Sequence, residues 1–124
     1  MIRQYRHPLR KVLLEFPAGH MENNEDPKKT ATRELLEERG YHAREIEQVY
    51  TYNPSVNISK QLIHIFRGTN LVKGEYEQDS DSIEDIRNVE IVSVEKLKHM
   101  VIAGKVENAA GTLIAYLICC TGIF

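Results

Sequence analysis

Short apolar runs alternate with charged stretches along the chain. "KVLLEF" at 11–16 is apolar and is closed by Pro17 and Gly19, which predicts a strand. The polar stretch beyond it carries a helix-start signal at Asp26-Pro27. Aspartate supplies a side-chain cap there, and proline suits the first helical position. The helix is expected to run to about Arg39, with Gly40 as its stop. "IEQVYTY" at 46–52 and "KQLIHIFRG" at 60–68 are β-prone and flank the turn-rich loop "NPSVNIS". "VEIVSV" at 89–94 predicts a further strand, leading into a short helix over 94–103. A final helix over 108–120 is apolar nearly all round, so it is expected to be well buried, with Tyr116 in the core. Strand, helix, several strands, helix, helix is the order of an α/β sandwich with a mixed sheet.

Composition narrows this picture without changing it. The length of 124 residues fits one domain over 1–124, and no repeat or linker divides it. The longest polar stretch, "KGEYEQDSDSIED" at 73–85, reads as an acidic loop. A net charge of -2 makes no electrostatic case for nucleic acid or an anionic membrane as partner. No apolar run approaches the roughly 18 residues of a membrane span, and the N-terminus lacks the apolar core of a signal peptide. Cys119 and Cys120 are adjacent, which is no metal-ligand spacing; they read as reduced, buried thiols of a cytoplasmic protein. The histidines at 7, 20, 42, 64 and 99 are scattered and read as non-ligands.

One charge pattern asks for an explanation. Glu34, Glu37 and Glu38 lie at i, i+3 and i+4 on the helix, all on one side, while Ala31 and Leu35 lie on an adjoining strip that can face a core. Like charges so placed repel. A divalent cation would offset the repulsion, because three carboxylates within one turn make a hard, oxygen-only site of the kind Mg²⁺ or Mn²⁺ takes. Mg²⁺ binds phosphate oxygens, so a phosphate-bearing substrate is expected. Arg33 can pair with Glu37 or reach back to Glu25, holding the carboxylates in place.

The wider spacing carries a resemblance. Gly19, five residues, Glu25, seven residues, Arg33-Glu34-Leu35, one residue, Glu37-Glu38, one residue and Gly40-Tyr41 matches every fixed position of the Nudix box. The sequence therefore resembles the Nudix hydrolases. The resemblance implies a loop-helix-loop metal site on an α/β/α sandwich, with Glu34, Glu37 and Glu38 as metal ligands, the carbonyl of Ala18 as a further ligand, and Arg33 as their orienting partner. Glu25 would be a structural member of the box, Gly19 a position of close approach and Gly40 the helix stop. "QYRHPLRKVLLEFPAGHME", "PSVNIS" at 54–59 and the C-terminal third are similar to ADP-ribose pyrophosphatases, so the likeness covers nearly the whole chain. Asn57 stands where a glycine is common in that loop, and asparagine tolerates a left-handed backbone. Gln61 stands near an often acidic position. The chain begins at the "RQYR" segment, where relatives carry additional strands; this predicts an exposed sheet edge and a homodimer to cover it.

The chemistry implied is attack of water on phosphorus in a pyrophosphate, with Mg²⁺ (or Mn²⁺) polarising the phosphoryl oxygens. A glutamate of the acidic loop is expected as base, Glu84 first and Glu77 second, with Ser82 at a position that is acidic elsewhere. Arg6 is a candidate phosphate contact, Tyr5 a candidate for stacking on adenine, and Glu15 a structural residue. The expected function is hydrolysis of ADP-ribose or a related nucleotide sugar to AMP and a sugar phosphate. The alternatives keep the chemistry on dinucleoside polyphosphates, NADH or nucleoside triphosphates, or drop it for a non-catalytic nucleotide-binding module.

Overall fold

Asp26 and Gly40 bracket the first helix as their chemistry requires. In the computed structural model, which describes residues 1–74 and 89–122, α1 spans Pro27–Arg39. The Asp26 carboxylate accepts from the amides of Lys28 at 2.9 Å and Lys29 at 3.3 Å, satisfying donors that a helix start leaves open. Gly40 ends the helix in the left-handed region, at φ 65°, with its amide bonded back to Leu36 at 2.7 Å.

The remaining elements are β1 (Ile2–Arg6), β2 (Lys11–Glu15), β3 (Tyr41–Tyr52), β4 (Ile63–Lys73), α2 (Val94–Ile102) and α3 (Ala109–Cys120). Helices and strands are mixed along the chain, an α/β fold. The described strands pair as β1 with β2 and β3 with β4. The chain divides into two compact units. One comprises Met1–Phe16, Thr51–Ile63 and Asn88–Phe124; the other comprises Pro17–Tyr50 and His64–Arg87.

In the first unit β1 and β2 form an antiparallel ribbon with Ile2 opposite Glu15 and Tyr5 opposite Val12. A single 3₁₀ turn, His7–Leu9, joins them, closed by Arg10 at φ 51°. Strand alternation buries Ile2, Leu13 and Glu15 on one face and leaves Tyr5 and Val12 exposed on the other. α2 packs against α3 around Leu97, Val106 and Ala115, with Phe16, Val92, Met100 and Ile118 at the rim. Ser93 and Asn108 cap the two helices through side-chain bonds to Lys96 and Gly111 amides.

Four sequence expectations are corrected here. Among the described residues the strand over 89–94 reduces to a short contact with the start of β1: Val89 bridges Ile2, and Glu90 exchanges two backbone bonds of 2.8 Å with Met1. Glu90 turns its carboxylate to Arg3 and Lys96 instead, and Ser93 is taken up as the α2 cap. Tyr116 is 56% exposed, because α3 buries only Gly111, Ala115 and Leu117. The cysteines are not both buried: Cys119 is half-buried on the α2–α3 core and Cys120, one step round the helix, is exposed. Asn57 does not adopt a left-handed backbone; Asn24 and Asn70 do. The loop over 54–59 is held instead by Asn53, which accepts from the Ser55 amide at 2.8 Å and donates to the Ser59 carbonyl at 2.8 Å.

The second unit sets α1 beside the β3–β4 pair. The pairings Glu45 with Thr69 and Glu47 with Arg67 run in opposite senses along the two strands, as in an antiparallel ladder. Leu35 of α1 reaches the surface over Gly68, next to Ala43, and Ile65 is buried. The Gly74 amide at the end of β4 donates to the Gly40 carbonyl at 2.9 Å, tying the strand to the helix end.

Candidate active site

The loop before α1 and the last two turns of α1 form the candidate site, all within the second unit. Arg33 is its hub. Its Nε and Nη2 grip Glu25 through two bonds of 3.1 Å, a fork that fixes the loop to the helix. Nη2 also donates to the His20 carbonyl at 3.3 Å. Nη1 lies 3.1 Å from Glu34 Oε1 and 3.0 Å from Glu37 Oε2, so both carboxylates converge on one positive nitrogen. Arg33 thus pairs with Glu37 and with Glu25 together, where the sequence left the two open. The pairing moves both groups in the expected directions. Glu25 is held down to about 2, chiefly by the bonds from Arg33 and then by the Glu22 amide. Arg33 is pushed up, first by Glu25 and then by Glu37.

Gly19 makes room for this arrangement. A Cβ on it would lie 1.8 Å from the Glu34 carboxyl carbon and 2.0 Å from Oε1. The Glu34 head group therefore rests against the backbone of the loop, beside Ala18, and only glycine permits that approach. Glu38 is paired with a different arginine. Arg39 Nη2 holds its Oε2 at 3.0 Å, and Arg39 Nη1 donates to its own-neighbour carbonyl, Glu38 O, at 2.7 Å. The sequence reading did not single out Arg39. The signal was present in "RELLEER", where an arginine stands at each end of the glutamate run.

The donors that the resemblance implies, three carboxylates and a main-chain carbonyl, are all oxygen and would suit a hard divalent cation. Among the described residues, however, no three acidic, histidine or cysteine side chains stand together as a metal-holding group. The ion pairs explain this. Arg33 neutralises Glu34 and Glu37 from one side, and Arg39 draws Glu38 toward itself. A bound cation would take over the charge balance that the two arginines now supply.

Arg6 and Tyr5 lie in the first unit. The Arg6 fork is engaged by buried Glu15, at 3.0 and 2.5 Å, which raises the Arg6 pKa further. Tyr5 is half exposed and meets His7 edge to face, ring centres 4.9 Å apart. Glu77, Ser82 and Glu84 lie outside the described residues. An open groove beside α1 is lined by Asp26, Lys28, Lys29, Thr32, Arg33, Leu36 and His42.

The family model described as "NUDIX domain" matches residues 1–115. The chain belongs to the Nudix family. Among curated proteins, this Nudix chain is 36% identical over 100 residues to a methanol dehydrogenase activator of Bacillus methanolicus, covering 81% of the chain and 54% of that protein. It is 33% identical over 98 residues to an ADP-ribose pyrophosphatase of Bacillus subtilis (strain 168), covering 79% and 53%. A mouse (Mus musculus) ADP-sugar pyrophosphatase matches over 41 residues at 49% identity, 33% of this chain and 19% of that protein. The chain spans about half the length of the first two. Nudix enzymes generally use divalent metal ions and act on small nucleotide compounds. Among the described residues no helix is long and apolar enough to cross a membrane.

Proposed function

We propose that the chain is a Mg²⁺-dependent Nudix pyrophosphatase, with Mn²⁺ as a possible substitute, that hydrolyses ADP-ribose or a related nucleotide sugar to AMP and a sugar phosphate. One observation carries the reading: Glu34 and Glu37 converge on a single cationic nitrogen, with Glu34 seated against Gly19. Two carboxylates already aimed at one positive charge suit a divalent ion. The likeness to an ADP-ribose pyrophosphatase supports the substrate class.

In this reading Glu34, Glu37 and Glu38, with the Ala18 carbonyl, hold the metal. When bound, it polarises the phosphoryl oxygens and makes water a better nucleophile. Arg33 keeps its grip on Glu25 throughout, so the loop with Ala18 and Gly19 stays registered on the helix. Glu84 takes the proton of the attacking water, with Glu77 as second choice. Arg6 contacts phosphate while Glu15 orients it, and Tyr5 stacks on the base. The proposal includes a homodimer, supported by the half-exposed Leu9 and Val12 at the β1–β2 ribbon, and a cytoplasmic setting, consistent with free thiols at Cys119 and Cys120.

A second reading, a nucleotide-binding module without turnover, has one observation in its favour: each of the three carboxylates is already paired with an arginine. A phosphatase-coupled assay with Mg²⁺ or Mn²⁺ on ADP-ribose, ADP-glucose, NADH, Ap4A and dGTP separates the two. Metal-dependent turnover led by ADP-ribose, abolished in Glu38→Gln, is expected. Preference for another compound would change the substrate and keep the chemistry. No turnover by a folded, metal-binding protein would leave the binding module.

A further inference from the structure

Arg39 occupies the one position of "EERGY" that the box leaves open. Its side chain is nevertheless only 11% exposed and is bonded to its neighbour twice, through Glu38 Oε2 at 3.0 Å and Glu38 O at 2.7 Å. Successive residues on a helix point about 100° apart. The Glu38 carboxylate therefore has a partner on the next helix position, whereas Glu34 and Glu37 share Arg33. The two bonds also differ in permanence. The bond to the carbonyl serves an open acceptor at the helix end and complements the helix dipole. It can persist when the carboxylate swings away. Arg39 is thus anchored beside Glu38 whatever the carboxylate does, at the high effective concentration of an intramolecular partner.

From this we infer that Arg39 is a built-in competitor of the divalent metal for Glu38. The inference rests on the proposed reading that Glu38 is a metal ligand. Oε2, the oxygen that Arg39 holds, can meet the cation only by exchanging the guanidinium for it. Arg39 therefore weakens metal affinity and sets the concentration at which the site fills. Arg33 differs in this respect. Its fork on Glu25 fixes the loop, so it braces the site as well as neutralising it.

The test is Mn²⁺ binding without substrate, read by the electron paramagnetic resonance of free Mn²⁺, with thermal melting in EDTA alongside. Arg39→Gln keeps a donor for the Glu38 carbonyl and removes the charge. It should bind Mn²⁺ about three- to tenfold more tightly, the scale of one partly screened ion pair. Glu38→Gln should bind more weakly, and adding Arg39→Gln to it should then change nothing, because the competition needs the carboxylate. Unchanged or weaker binding by Arg39→Gln overturns the inference and leaves Glu38 as a ligand. A gain that survives in the Glu38→Gln background also overturns it, since that is general charge removal. Parent-like binding by Glu38→Gln removes Glu38 from the ligand set, and the inference falls with that part of the reading. If Arg39→Gln fails to fold, Arg39→Lys keeps the charge and gives up the fork. An intermediate gain then supports the competition, and none refutes it.

Discussion

A methyl group on Gly19 would fall 1.8 Å from the Glu34 carboxyl carbon, far inside contact distance. Glu34 cannot simply swing clear, because Arg33 Nη1 holds it at 3.1 Å and its side chain is only 16% exposed. Gly19→Ala should therefore push Glu34 out of line with Glu37, or displace the loop from the helix. The expected outcome is a stability loss of about 1–3 kcal/mol, typical of overpacking, and loss of metal-dependent turnover beyond detection. Urea denaturation and the coupled assay check both. Parent-like turnover would mean that Glu34 does not need its seat on the loop. At this scale the sequence was legible wherever spacing was the signal: 34, 37 and 38 share a helix side, and Arg33 reaches both 37 and 25. It was silent on Arg39, because a pairing between successive helix residues depends on side-chain torsions that no periodicity records.

Helix α1 was readable to the residue because its limits are local chemistry. Asp26, Pro27 and Gly40 each act within one turn of themselves. Strands were read less well, because a strand ends where its partner ends. β3 begins at Tyr41 and β4 continues to Lys73, beyond the apolar cores of 46–52 and 60–68, since pairing carries both through polar residues such as Glu45, Glu47 and Thr69. "VEIVSV" shows the converse. It has strand composition, yet among the described residues its pairing stops after Val89 and Glu90, and Ile91 is left 92% exposed. Local control of α1 gives a local prediction. Gly40→Ala forces an L side chain into φ 65°, at a cost of about 1–2 kcal/mol. It should also loosen the bond from the Gly74 amide to the Gly40 carbonyl. A lowered urea midpoint and faster hydrogen exchange at Gly74 are expected. An unchanged midpoint would show that another cap replaces the left-handed turn.

Across the molecule, each unit contains a carboxylate whose charged form is held by basic partners. In the second unit Glu25 titrates at about 2, chiefly because Arg33 bonds to it. In the first, Glu90 is lowered chiefly by Lys96, with Arg3 adding to the effect. Both groups bind fewer protons in the folded state than in the unfolded state at mildly acid pH, so each contributes stability above the ordinary carboxylate range. That contribution is lost as pH falls from about 4.5 (the usual carboxylate value) toward the folded values. Stability should therefore be flat at neutral pH and decline steeply on the acid side, more gently in high salt, which screens these solvent-facing pairs. Glu25→Gln and Glu90→Gln should each lower stability at pH 7 and flatten the acid limb. Their curves should converge on that of the parent only as pH falls below about 2, where the parent's Glu25 loses its charge. Urea unfolding at a series of pH values decides the point. Acid limbs parallel to the parent's would show that these two pairs do not govern its acid sensitivity. The two variants also report on different units, so an effect confined to one of them would identify the unit that limits stability in acid.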